Sequence, residues 1–262
     1  MNNLDENLSF IELPCLDEIL RYLPISARDK EDVDVYLSSI SDLVRLNYKY
    51  GQYQFAYFGL HLLYMTYIYF TVWKISKIIP DRYTDAVVFA RAYAGRDLNF
   101  LSVESIFEYS MVPEKELPKI FRIIDLNEGQ IGIIAGLVDT RNDMAHASGK
   151  FEILNEESFM LKVNSVCSSI RNIHNAMDDL IRSWFRGILL QFCEGKYGDY
   201  SDLNDFIFEQ MIQNFNLSIN ELLICDEMSL RGILKDNPDQ KNCLKGFKRA
   251  LEAYCKNNDY SW

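Results

Sequence analysis

Residues Phe55 to Trp73 (FAYFGLHLLYMTYIYFTVW) form a run of 19 residues without an acid, a lysine or an arginine. As a helix it spans roughly 28 Å, about the thickness of a bilayer's hydrocarbon core. Such a run belongs either in lipid or in the interior of a helical bundle. It also carries His61, Thr66, Thr71 and the hydroxyls of Tyr57, Tyr64, Tyr67 and Tyr69. Lipid offers those groups no hydrogen-bond partner, whereas a bundle core or a subunit interface does. Gln54 and Lys74 bound the run closely. It therefore reads as the central core helix of a bundle, with no membrane span.

The rest of the chain is also patterned for helices. Prolines stand at segment edges and leave Ile25 to Ile79 and Lys119 to Asn237 free of them. Val166, Ile170, Ile173, Met177, Leu180, Trp184 and Ile188 recur at steps of three and four, the stripe of one long helix. That helix is predicted from Glu157 to Cys193, ending near Gly195. Another is predicted from Asp29 to Tyr48, with Asp29, Glu31 and Asp32 in its first turn, where acids suit the helix dipole. A third runs from Asn127 to Ala147, with Asn127 as cap and Gln130 as its reciprocal partner. Ser218 and Glu221 form a capping box ahead of Leu222 and Leu223, and Asp239 to Tyr254 is a final amphipathic helix. Lys150 to Leu154 is the only strand-like stretch. The fold class is all-α. The loop Glu194–Asp199 separates a main bundle, residues 1–195, from a C-terminal helical extension, residues 196–262.

Charge and rare residues remove several functions. With 3 histidines, a His-rich metal centre is excluded, and no cofactor or metal is expected. A net charge of -11 makes the whole chain a poor non-specific nucleic-acid binder, so any field that attracts RNA must be local. Lys74, Lys77, Arg82, Arg91 and Arg96 form a loosely basic stretch diluted by Asp81, Asp85 and Asp97, and read as ordinary charged surface. The six cysteines make no CxxC pair, and the opening MNNLDENLSF lacks the basic-then-apolar order of a signal peptide. A cytoplasmic protein with reduced, mostly buried thiols is expected.

One constellation carries chemistry. The Asn127–Ala147 helix ends in Arg141-Asn142-Asp143-Met144-Ala145-His146. Asn142 and His146, four apart, share a face, and Arg141 flanks it within reach of the imidazole. A permanent cation, a base that titrates near neutrality and an amide suit phosphodiester chemistry without a metal. Arginine stabilises charge on phosphorus, histidine moves protons, and RNA supplies its own nucleophile in the 2′-hydroxyl. Gly129, Gly132 and Gly136 lie on one side of this helix and predict close packing, within the bundle or against a second subunit. Arg171-Asn172-Ile173-His174 looks similar but has a shorter spacing and reads as structural or solvent-facing; His61 reads as a hydrogen-bonded core or interface histidine. Asp139 and Asp143 read as a solvated face or a partner for Arg141.

The pattern Arg141, Asn142, His146 on a helix of an all-α bundle resembles the HEPN superfamily, whose mark is Arg, a polar residue, a few residues, then His; here it has the form R-x4-H. The motif covers six residues, and the architectural likeness runs loosely from Asp29 to Cys193. The resemblance implies a HEPN-type bundle and a metal-independent endoribonuclease. It also implies a homodimer whose two motifs build one cleft, and a toxin–antitoxin or antiviral defence setting with a partner protein. By that resemblance Arg141 binds the scissile phosphate, His146 acts as acid or base, Asn142 positions the site, and cleavage leaves a 2′,3′-cyclic phosphate. One toxin branch has a tyrosine two residues after the histidine; here that position is Ser148. A non-catalytic HEPN-like module that binds a protein or nucleic acid is the alternative.

Overall fold

A computed structural model describes residues 13–25, 31–88, 99–145, 153–198 and 200–262. The protein is all-α: α1 (Pro14–Leu20), α2 (Glu31–Lys49), α3 (Tyr53–Ile78), α4 (Pro80–Val87), α5 (Glu128–Ala145), α6 (Glu156–Cys193), α7 (Leu203–Phe206), α8 (Ile219–Glu227), α9 (Arg231–Asp236) and α10 (Lys241–Asn257). Short 3-10 turns lie at Ile106–Met111, Leu117–Ile124 and Pro238–Gln240, and α7 runs on into a π-helical stretch, Ile207–Asn214. No strand forms among the described residues beyond a single bridge between Pro24 and Ser218. Ile153 and Leu154 of the strand-like stretch are irregular, and Lys150 to Glu152 lie outside the described residues.

The chain divides into two compact units. The first comprises residues 1–20 and 28–176, the second residues 21–27 and 177–262. This division falls inside α6, whereas the loop chemistry at Glu194–Asp199 places a boundary seventeen residues or more later. A long helix hides such a boundary, because the backbone pattern continues through it.

The first unit is organised on α3. Eighteen of its residues are buried, including every apolar group from Leu63 to Val72. It is long and apolar enough to cross a membrane by length and composition, yet 83% of its apolar window is buried within the protein. The tyrosine hydroxyls find the partners that a bundle core can offer. Tyr64 pairs with Ser169 Oγ at 2.7 Å, Tyr67 donates to the Ile170 carbonyl at 3.3 Å, and Tyr57 donates to the Leu137 carbonyl at 3.4 Å. Thr66 and Thr71 donate to carbonyls one turn back. The α2–α3 hairpin packs closely: a Cβ on Gly59 would come within 2.7 Å of Val44 Cγ2. Lys74, grouped by sequence with a charged surface, is instead 2% exposed. Arg91, Arg96 and Asp97 of that stretch lie outside the described residues, as does Asp29 ahead of α2.

In the second unit, α6 buries Met177, Ile181, Phe185 and Leu189 rather than Leu180, Trp184 and Ile188. Both rows are apolar, so the sequence does not choose between them. Trp184 stacks on Phe215 at 3.8 Å instead of filling the core. Phe206 and Phe247 meet edge-on at 5.5 Å in the unit's interior. The capping box at Ser218 forms as expected, with Ser218 N donating to Glu221 and Glu221 N to Ser218 Oγ. Gly195 takes the left-handed φ of +73° that ends α6.

The thiols correct one expectation. Cys193 and Cys243 are joined as a disulfide, with Cα atoms 5.7 Å apart. The other cysteines are free, and burial pushes the Cys167 and Cys255 thiols up to about 12. Those four match the expected inert, reduced state; the bonded pair does not.

Candidate functional site

The α5 helix is set by its ends and its inner face. Asn127 N donates to Gln130 Oε1 and Gln130 N to Asn127 Oδ1, both at 2.9 Å, which fixes the first turn. Ile134, Leu137 and Val138 are buried, and Arg141 follows on the same side one turn later. The inward row of α5 therefore carries the Arg141 guanidinium into the unit, with its side chain 25% exposed. Among the described residues the opposite side is open. A Cβ added to Gly132 or Gly136 would meet nothing within 4 Å, and Ile133 is 52% exposed. Close packing of these glycines inside the bundle is thus not what they provide; the glycine that packs tightly is Gly59.

Facing Arg141 is Glu114, a residue that no motif or spacing marks. Glu114 sits on a turn between two 3-10 segments, closed by Glu116 N donating to the Pro113 carbonyl at 2.8 Å. The segment before it is held by the Ser105/Glu108 capping box, and the one after ends at Asp125 in the left-handed region. Glu114 Oε2 accepts from the Arg141 guanidinium and lies 3.1 Å from His61 Nε2. His61, on the same face of α3 as Tyr57, is 1% exposed, so the expectation of a hydrogen-bonded core histidine holds and its partner is now known. One carboxylate oxygen thus lies between an imidazole and a guanidinium. Burial alone would push the Glu114 carboxyl up, but the hydrogen bond and charge of His61, then those of Arg141, outweigh it and hold the group below its ordinary 4.5.

Neighbouring groups complete the electrostatics. Tyr57 is pushed up to about 12 by burial, with Arg141 opposing. Lys162 Nζ stands over the Tyr57 ring at 5.7 Å. Lys115 pairs with Asp139, and Lys119 with Glu116. Asp139 therefore goes to Lys115 and not to Arg141, and the side chain of Asp143 is outside the described residues. Pro113, Glu114, Lys115, Glu116, Val138, Arg141 and Asn142 line a surface pocket of about 380 Å³. Within it the described charges cancel in pairs.

Of the motif residues, the structure brings Arg141 and Asn142 to one pocket; His146 lies outside the described residues. The similar Arg171 is tied to Glu18 by two bonds of 2.6 and 2.7 Å, and His174 is 7% exposed, which agrees with a structural role. Among the described residues, no three His, Cys, Asp or Glu side chains converge as metal ligands. No family model matches the chain, and no curated protein or solved structure is significantly similar to it.

Proposed function

We propose that this chain is a metal-independent endoribonuclease of HEPN type. Arg141 holds the scissile phosphodiester and stabilises the charge that builds on phosphorus; Asn142 orients it; His146 moves a proton. The 2′-hydroxyl attacks and leaves a 2′,3′-cyclic phosphate. The observation that carries this reading is that Arg141 and Asn142 line one accessible pocket at the end of α5. The bare outer side of α5, with Gly132 and Gly136, leaves room for a second copy, which supports a homodimer with a composite cleft. A second Arg141 would also supply the positive field that the pocket's paired charges do not. The proposed setting is toxin–antitoxin or antiviral defence in the cytoplasm, with a partner protein. The Cys193–Cys243 bond is the observation that weighs against that compartment.

The test is cleavage of single-stranded RNA in EDTA by the wild type, Arg141→Ala and His146→Ala. The expected result is cleavage by the wild type and a loss of about 10²–10⁴-fold in each variant. Equal cleavage by all three, or none by any, overturns the reading. The Arg141–Glu114 pair favours a second reading, a non-catalytic binding module, because a neutralised arginine can simply brace the fold. Expression in cells separates the two: a toxin slows growth and His146→Ala relieves it, whereas a binding module leaves both cultures alike.

A further inference from the structure

We propose that Glu114 is the general base of the reaction and that His61 is its positioning residue; this rests on the ribonuclease reading above. Three observations converge on it. Glu114 lines the same pocket as Arg141 and Asn142. Both of its hydrogen bonds are made by Oε2, so among the described residues Oε1 takes none and is available to a hydroxyl donor. Arg141 in turn gives Glu114 one nitrogen, Nη2, out of a fork with five N–H donors. The rest of that fork can take a phosphate while Glu114 stays in place.

The step balances within these groups. The Glu114 carboxylate takes the proton of the 2′-hydroxyl as the 2′-oxygen bonds to phosphorus. The bond from phosphorus to the 5′-oxygen breaks, and that oxygen receives a proton, in the ribonuclease reading from His146, which lies outside the described residues. The products are a 2′,3′-cyclic phosphate and a 5′-hydroxyl, and no oxidant, reductant or metal enters. His61 does not touch substrate. At 1% exposure it is buried, and by bonding Oε2 it leaves Oε1 without a partner among the described residues.

The groups that set the charge of Glu114 come from every neighbouring element. His61 faces it from α3 and Arg141 from α5; beside it on its own turn, Lys115 pairs with Asp139 and Glu116 with Lys119. Their balance favours the carboxylate, so the base is in its working form throughout the neutral range. A base must be deprotonated, so activity falls as pH drops through the Glu114 value, below about 4.5 in the wild type. Removing the His61 hydrogen bond and charge raises that value, so His61→Asn moves the acid limb to higher pH.

The experiment measures kcat, KM and the pH profile on single-stranded RNA in EDTA for the wild type, Arg141→Ala, Glu114→Gln, Glu114→Asp and His61→Asn, with folding followed by circular dichroism. Glu114→Gln is expected to lose roughly 10²–10⁴-fold in kcat with little change in KM. Glu114→Asp should recover part of it and keep the acid limb. A uridine 3′-aryl phosphate, whose leaving group needs no proton, should restore His146→Ala but not Glu114→Gln. If Glu114→Gln fails to fold, Glu114→Asp and His61→Asn carry the test through the limb. Wild-type protein that cleaves no RNA overturns the ribonuclease reading and this proposal together. Cleavage that needs Arg141 but is undiminished in Glu114→Gln overturns the Glu114 proposal alone. Faster cleavage by Glu114→Gln also overturns it, and makes the carboxylate a brake on Arg141. An acid limb unmoved by His61→Asn overturns the role of His61.

Discussion

Two arginines in the first unit share a local sequence and differ in almost everything around it. Arg141 and Arg171 are each followed by asparagine, lie on a helix and pair with a glutamate distant in the chain. Arg171 meets Glu18 fork to fork, through Nε and one terminal nitrogen, with its side chain 53% exposed. Its partner's two oxygens are both engaged, one by each of two nitrogens of the fork. Arg141 meets Glu114 through one nitrogen and one oxygen, and that oxygen also contacts a sealed histidine. Both groups keep unused valence, and both line a pocket. A bidentate pair ties two helices; a pair joined by one nitrogen and one oxygen beside a cavity can receive a ligand.

The largest expected effect is on activity. Arg141→Ala should lower RNA cleavage by about 10²–10³-fold, and Arg171→Ala should leave it within about twofold. Equal losses measured in one assay would erase the distinction. Stability should split the same way, less widely. Glu114→Ala strips a part-buried guanidinium and a sealed imidazole of their shared partner, which costs about 2 kcal/mol. Glu18→Ala removes an exposed pair and should cost under about 1 kcal/mol in the same urea titration.

Acid sharpens the contrast further. The Glu114 carboxyl lies lower in the folded protein than its ordinary 4.5. Its contribution to stability is therefore present above about pH 4.5 and is lost as pH falls through the folded value. Wild type and Glu114→Gln should differ most near pH 6 and converge in acid, as read from unfolding midpoints across pH. The smallest effect concerns salt. In 1 M NaCl the coupling energy of Arg171 with Glu18, from a double-mutant cycle, should fall toward zero, and that of Arg141 with Glu114 should persist.

How legible these features are depends on their range. The caps at Asn127 and Ser218 are local hydrogen-bond patterns, and both form where the residue types place them. The Phe55–Trp73 run declares α3 because nothing else accommodates so many apolar groups with so many hydroxyls. The stripe on α6 is correct through Met177 and then fails, because two apolar rows compete and only tertiary contacts select Ile181, Phe185 and Leu189. Arg141 and Asn142 were visible as a motif. Glu114 was not: it lies on a turn 27 residues away, with no period or spacing to mark it. The one available signal was a buried histidine in need of a partner, and His61 does not say in sequence which carboxylate it will find. The glycines of α5 misled for a related reason, since a missing Cβ does not tell whether a neighbour is there.

The link between Cys193 and Cys243 closes a loop over a separation of 50 residues that contains α7, α8 and α9. In the chain-entropy view, closing such a loop limits the unfolded ensemble by about 4 kcal/mol. It also gives the second unit the topology of a ring with two tails. A protease that cuts once within residues 194–242 opens the ring without releasing a piece, so the nicked protein migrates as one band until a thiol is added. Covalent continuity in that unit is thus decided by two sulfur atoms as much as by the peptide backbone.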